Sequence, residues 1–84
     1  MSLSIDWAPR ASKERERLDA TTRARVLAAI ERYAETSHGD VRRLQGTDDE
    51  YRLRVGDWRV RFSIDTATMT LKVLRVLHRR EAYR

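Results

Sequence analysis

The 84-residue chain contains no cysteine. That excludes disulfides and thiolate metal sites, and it fits a reducing compartment. It has one proline, and its three glycines, Gly39, Gly46 and Gly56, are isolated, so no glycine-rich phosphate loop is present. The histidines His38 and His78 stand far apart, the acids are scattered singly, and nothing has metal-ligand spacing. No Ser-His-Asp arrangement is visible. No apolar run is long enough to cross a bilayer. The opening stretch MSLSIDWAPR lacks the basic start and apolar core of a secretory signal. These absences lead us to expect a single domain over residues 1–84, cytoplasmic, away from membranes and without metal or cofactor.

What the chain does have is arginine in two places. Residues 51–64 and 75–84 together hold eight arginines against Asp57 and Glu81, a net +6 in 24 residues. The other 60 residues hold ten basic and eleven acidic side chains, so the net +5 of the chain is confined to those two segments. A localised excess of this kind points to a polyanion or an acidic protein as partner. The alternative is a solvated basic face kept for solubility.

Periodicity orders the rest. Leu3, Ile5 and Trp7 alternate with polar residues as a short strand, closed by Pro9. Ser12 reads as the N-cap of a short helix ending near Leu18, and Asp19 as the cap of the next. In that second helix Val26, Leu27, Ile30, Tyr33 and Ala34 form one apolar stripe, and Gly39 is the expected stop. Residues 40–49 (DVRRLQGTDD) read as a loop anchored by Val41 and Leu44. Two strands then meet at Gly56-Asp57, which suits a two-residue turn of type I′ or II′. A third run spans Met69 to Leu77, with Leu74 and Val76 expected on the face opposite Met69, Leu71 and Val73. The tail HRREAYR lacks apolar periodicity and reads as extended or loosely helical. Helices grouped before antiparallel strands imply an α+β layer, with the helices on one sheet face.

The hairpin EYRLRVGDWRVRF is the unusual feature. With Gly56-Asp57 as its turn, Arg54 faces Arg59 and Arg52 faces Arg61, all on the open face. Directly opposed like charges destabilise an antiparallel pair, so stability is given up here, and such departures tend to mark function. An anion between the arginines would relieve the repulsion, and the guanidinium fork grips phosphate oxygens with two bonds. The tail could fold over the same face and bring Arg79, Arg80 and the stacking ring of Tyr83. Chemistry open to such a face is attack on RNA by its own 2′-OH, with arginines stabilising the charge that builds on the phosphate. His38, at a helix end, reads as a surface residue. His78, beside Arg79, is better placed to exchange protons near neutral pH.

Two stretches, YRLRVGDWRVRFSID and VLRVLHRREAYR, resemble the hairpin and tail motifs of the RelE/ParE toxins of type II toxin–antitoxin systems. The resemblance covers nearly the whole chain. It implies a small α+β fold, two helices packed on a mostly antiparallel four-stranded sheet. For the RelE-like ribonuclease branch it further implies a metal-free, ribosome-dependent endoribonuclease that cleaves mRNA in the A site by 2′-OH attack. Carried over by position, the catalytic residues are Arg52, Arg54, Arg59, Arg79 and Tyr83, with Arg61 and Arg80 as RNA contacts. Some members carry lysines where this chain has Arg52 and Arg54. Arginine does not lose a proton at ordinary pH, so His78 becomes a candidate for proton transfer. Other branches of the family use a tail histidine and a glutamate, which by resemblance adds Glu81. The partners implied are a cognate acidic antitoxin, forming a hetero-oligomer, and mRNA on the ribosome. The alternatives are a ParE-like inhibitor of DNA gyrase and a non-catalytic basic module that binds RNA or protein.

Overall fold

The apolar–charged alternation from Glu50 onward builds the centre of the molecule. The computed structural model describes residues 2–46 and 49–82. In chain order they form strand β1 (Ser4–Trp7), helices α1 (Pro9–Glu16) and α2 (Ala20–Thr36), strands β2 (Asp40–Arg43), β3 (Glu50–Val55), β4 (Trp58–Asp65) and β5 (Thr70–His78), and a closing helical turn α3 (Arg79–Ala82). The strands make one sheet in the order β1-β5-β4-β3-β2. β1 runs parallel to β5, and the other three pairings are antiparallel.

The sheet therefore has five strands of mixed direction, not the expected four. The additional strand is β2, inside the stretch read as a loop. Its four residues, DVRR, hold only Val41 half-buried between exposed charged neighbours, too short a pattern to show alternation. A short, charged edge strand also discourages pairing with other chains.

Local chemistry sets the helix ends. α1 starts at Pro9 and not after Ser12, because proline suits the first helical position and Ala8 is already extended. Ser12 lies inside the helix and donates its N–H to the Ala8 carbonyl at 3.0 Å. Asp19 caps α2 as expected, accepting from the Thr22 N–H at 3.2 Å. Hydrogen bonding to the Thr22 side chain, joined by this backbone bond, holds its carboxyl below its ordinary value. α2 stops earlier than Gly39: Ser37 takes the left-handed conformation (φ 61°) and donates to the Tyr33 carbonyl. Gly39 serves packing instead, since a Cβ there would lie 3.0 Å from Leu53 Cδ1.

The Asp19 cap makes a checkable prediction. A carboxyl whose pKa is depressed in the folded state stabilises above its unfolded value and loses that contribution as pH falls through the folded one. Asp19→Ala should lower the melting temperature at pH 7, and the gap to wild type should shrink as the pH is taken below the ordinary value of 3.8. Thermal melts across pH check both; a gap unchanged at low pH would contradict the cap's charge.

One core forms between helices and sheet. Val26, Ile30 and Ala34 of α2, with Ala11 and Leu18, pack against Leu53, Val60, Phe62, Leu71, Val73 and Val76. Phe62 is flanked by Tyr33 and Tyr51, with ring centroids 5.4 and 5.5 Å away. A register step between Arg61 and Phe62 leaves Leu74 as an extra residue in β5. This corrects the expected alternation: Val76 returns to the core opposite Val60, and Leu77 takes the other face. β1 ends at Trp7, so the upper half of β5 lacks a strand neighbour there. Glu14 of α1 fills the gap. It accepts the Val76 N–H at 2.9 Å and grips the Arg75 guanidinium at 3.0–3.2 Å. Among the described helices, none is long and apolar enough to cross a membrane.

Candidate nucleic-acid interface

On β3 and β4 every second residue of the hairpin leaves the core. Their register pairs Val55 with Trp58, Arg54 with Arg59, Leu53 with Val60 and Arg52 with Arg61. Gly56 has φ 58° and Asp57 does not share the left-handed region, which fits the II′ member of the two turn types considered. Two rows of side chains thus cross the sheet on the face away from α2. In one, Arg42, Arg52, Arg61 and Arg75 follow one another over β2, β3, β4 and β5. In the other, Asp40, Arg54, Arg59 and Leu77 do so. With strands about 4.8 Å apart, each row is roughly 14 Å long.

The arginines differ in what holds them. Arg61 is paired with Glu50 at 2.6 Å. Arg75 turns aside to Glu14. Arg59 is only 7% exposed, and its guanidinium donates to the Gly56 and Trp58 carbonyls at 2.9 and 3.0 Å. The buried Nε atoms of Arg59 and Arg61 have no hydrogen-bond partner among the described residues. Arg54 is exposed, and among the described residues no carboxylate pairs with it. Arg59 is therefore partly a latch on the turn, whereas Arg54 presents a whole guanidinium to solvent. At the far end of the same face Asp6, Asp49 and Asp65 rim a depression with Lys72. The face is basic toward the hairpin turn and acidic toward the β4–β5 turn, which directs a polyanion to the hairpin end.

The tail residues separate. Arg79 stays with the hairpin: its N–H donates to the Asp57 carbonyl at 2.8 Å, and its guanidinium lies 3.7 Å from the Asp57 carboxylate. Arg80 follows, exposed, its N–H donated to His78 Nδ1 at 3.3 Å. The His78 ring meets Trp58 edge-on at 5.3 Å, on the core side of the sheet. Glu81 lines a groove with Glu14, Arg17 and Trp58, again on the helix side. Neither His78 nor Glu81 is brought to the arginine face. Tyr83 lies outside the described residues. Tyr33 and Tyr51 pack with Phe62 in the core, and burial pushes the Tyr33 phenol up from its ordinary value.

Three residues of this face escaped the sequence reading. Arg42 was hidden in the supposed loop. Glu50 shares the alternation of Arg52 and Arg54, which was the available signal, and is the carboxylate held against Arg61. Arg75 belongs to the row by register alone. Among the described residues, no three His, Cys, Asp or Glu are placed to hold a metal ion.

The fold has counterparts among known proteins. Residues 5–83 match the family described as the ParE toxin of the type II toxin–antitoxin system, parDE. The chain belongs to this toxin family. Within the wider RelE/ParE superfamily, its fold is similar to a chain of the archaeal RelE–RelB complex from Pyrococcus horikoshii OT3, at 26% identity and TM-score 0.80, covering 98% of this chain and 100% of that one. A chain of the RelB–RelE antitoxin–toxin complex from Methanococcus jannaschii is similar at 24% identity and TM-score 0.77, covering 93% and 94%. A mutant of the E. coli toxin RelE in the free state is similar at 23% identity and TM-score 0.81, covering 98% and 88%. No curated protein matches this chain.

Proposed function

We propose that this toxin is an endoribonuclease that cleaves mRNA on the ribosome in the cytoplasm. The observation that carries the reading is the cluster of arginines on one face of the hairpin, Arg52, Arg54, Arg59 and Arg61, with Arg54 exposed and Arg79 beside the hairpin tip. In the proposed reaction the 2′-oxygen attacks the adjacent phosphorus and the bond to the 5′-oxygen breaks. The products are a 2′,3′-cyclic phosphate and a 5′-hydroxyl. Arg52, Arg54, Arg59 and Arg79 would stabilise the charge that builds on the phosphoryl oxygens. Arg61 and Arg80 would hold flanking phosphates and Tyr83 would stack on a base. Of the carboxylates on the arginine face, Glu50 is the one bonded to a neighbour of the reacting arginines, Arg61 at 2.6 Å, and is the group we assign to take the 2′-OH proton. His78 and Glu81, the candidates from sequence, face the helices. A cognate antitoxin would bind this toxin in a hetero-oligomer, as the RelE–RelB complexes of the structural relatives support; an acidic one would complement the arginine face.

The family match itself favours a second reading, inhibition of DNA gyrase in the manner of ParE toxins. Induction of the protein followed by mapping of mRNA ends separates the two. Cuts in phase with codons inside reading frames are expected. DNA breaks and supercoiling defects with intact mRNA would overturn the ribonuclease reading in favour of the second.

A further inference from the structure

Three arginines from three parts of the chain converge on the two-residue hairpin turn. From β4, Arg59 donates to the Gly56 carbonyl at 2.9 Å. From α3, Arg79 donates its N–H to the Asp57 carbonyl and sets its guanidinium 3.7 Å from the Asp57 carboxylate. From α2, Arg25 lays its guanidinium over Gly56, where a Cβ would stand 3.3 Å from its terminal nitrogen. Gly56 has φ 58°, so glycine serves both the turn and this close approach.

Arg25 is exposed, and among the described residues it makes no hydrogen bond or ion pair. A guanidinium that only clasped the turn would donate to one of its carbonyls, as Arg59 does. α2 packs on the core side of the sheet, so Arg25 reaches the turn from the side opposite Arg54. Arg25, Arg54, Arg59 and Arg79 stand against Asp57 at the turn and Asp40 across the strands from Arg54, a local net charge of +2. The basic surface thus does not stop at the edge of the arginine face. It continues over the hairpin tip.

We propose that Arg25 binds a phosphate of the RNA beyond those held on the arginine face, so that the strand crosses the hairpin tip toward the helices. Arg25 is then a binding residue, not a catalytic one. This inference rests on the ribonuclease reading of the arginine face.

The test compares single-stranded oligoribonucleotides of about 4 and about 12 nucleotides, lengths bracketing a small single-strand site. Binding is followed by fluorescence anisotropy over a series of salt concentrations, with wild type, Arg25→Gln and Arg54→Gln. On the long strand Arg25→Gln should reduce the slope of log K against log salt by about 0.7, the value for one phosphate contact on a single strand. On the short strand it should change nothing, whereas Arg54→Gln should weaken both. A wild-type slope for Arg25→Gln on the long strand overturns the inference, as does an equal loss on both lengths. If Arg54→Gln weakens binding and Arg25→Gln does not, the inference alone falls. If the wild type binds neither strand, or neither variant changes binding, the reading of the arginine face falls with it. Equal melting temperatures confirm that the variants compare like with like.

Discussion

Replacing Arg54 with alanine is expected to slow mRNA cleavage about 100-fold, the usual loss for one donor aimed at developing charge, while leaving the melting temperature unchanged. Arg54 is exposed on β3 and, among the described residues, no carboxylate pairs with it. Its truncation leaves no buried group stranded and relieves its repulsion with Arg59 across the strands. Arg79→Ala should behave alike. Its side chain is 59% exposed, and the backbone bond to Asp57 that pins the tail survives the change. Arg59→Ala should differ in kind. That side chain is 7% exposed and bonds two carbonyls at the turn, so its loss should cost activity and also about 1–3 kcal/mol of stability. Single-turnover cleavage on purified ribosomes, run beside thermal melts, separates the three. If Arg54→Ala cleaves at the wild-type rate, the arginine face is not where the phosphate reacts.

The hairpin was legible residue by residue because two local signals agree there. Strict alternation sets the face of every side chain, and Gly56-Asp57 sets the register. Where only one signal exists the sequence was silent or misleading. β2 has four residues and no hairpin turn signature, so Arg42 stayed out of the arginine row. In β5 a single extra residue, Leu74, reverses the alternation beyond it and sends Val76 back to the core. That step depends on the fit between β4 and β5, which neither strand shows alone. The carboxylates that hold the arginines were missed for a different reason. Glu50 and Arg61 lie 11 residues apart, and Glu14 and Arg75 lie 61 apart. Such pairs are made by the folded chain and leave no periodic trace. The like-charge repulsion expected on the open face is therefore met in part from within the protein, and what remains available to an outside anion is concentrated at Arg54 and around the turn.

Glu14 supports the opposite edge of this surface, and Glu14→Ala should be the most damaging single change to stability outside the apolar core. The carboxylate takes the place of a strand beyond the end of β1. One oxygen accepts the Val76 N–H at 2.9 Å, and the pair of them grips the Arg75 guanidinium at 3.0–3.2 Å. Both side chains are largely covered, at 17% and 25% exposed. Alanine would leave a strand N–H and a guanidinium without their acceptor in a partly dry environment, where breaking a fully buried pair costs about 3–5 kcal/mol. The residual exposure lowers that to about 2–3 kcal/mol, which in a domain of this size shifts the melting temperature by on the order of 10 °C. Glu14→Gln keeps an acceptor for Val76 and should lose roughly half as much. Arg75→Ala removes the other partner, and the Glu14/Arg75 double-mutant cycle isolates their coupling from the backbone bond. A melting temperature for Glu14→Ala within about 2 °C of wild type, less than 1 kcal/mol by the same relation, would show that water replaces the carboxylate at this edge. The effect should also reach the RNA face. Val76 and Leu77 lie opposite Val60 and Arg59, so loosening the upper half of β5 would displace the buried arginine that latches the turn.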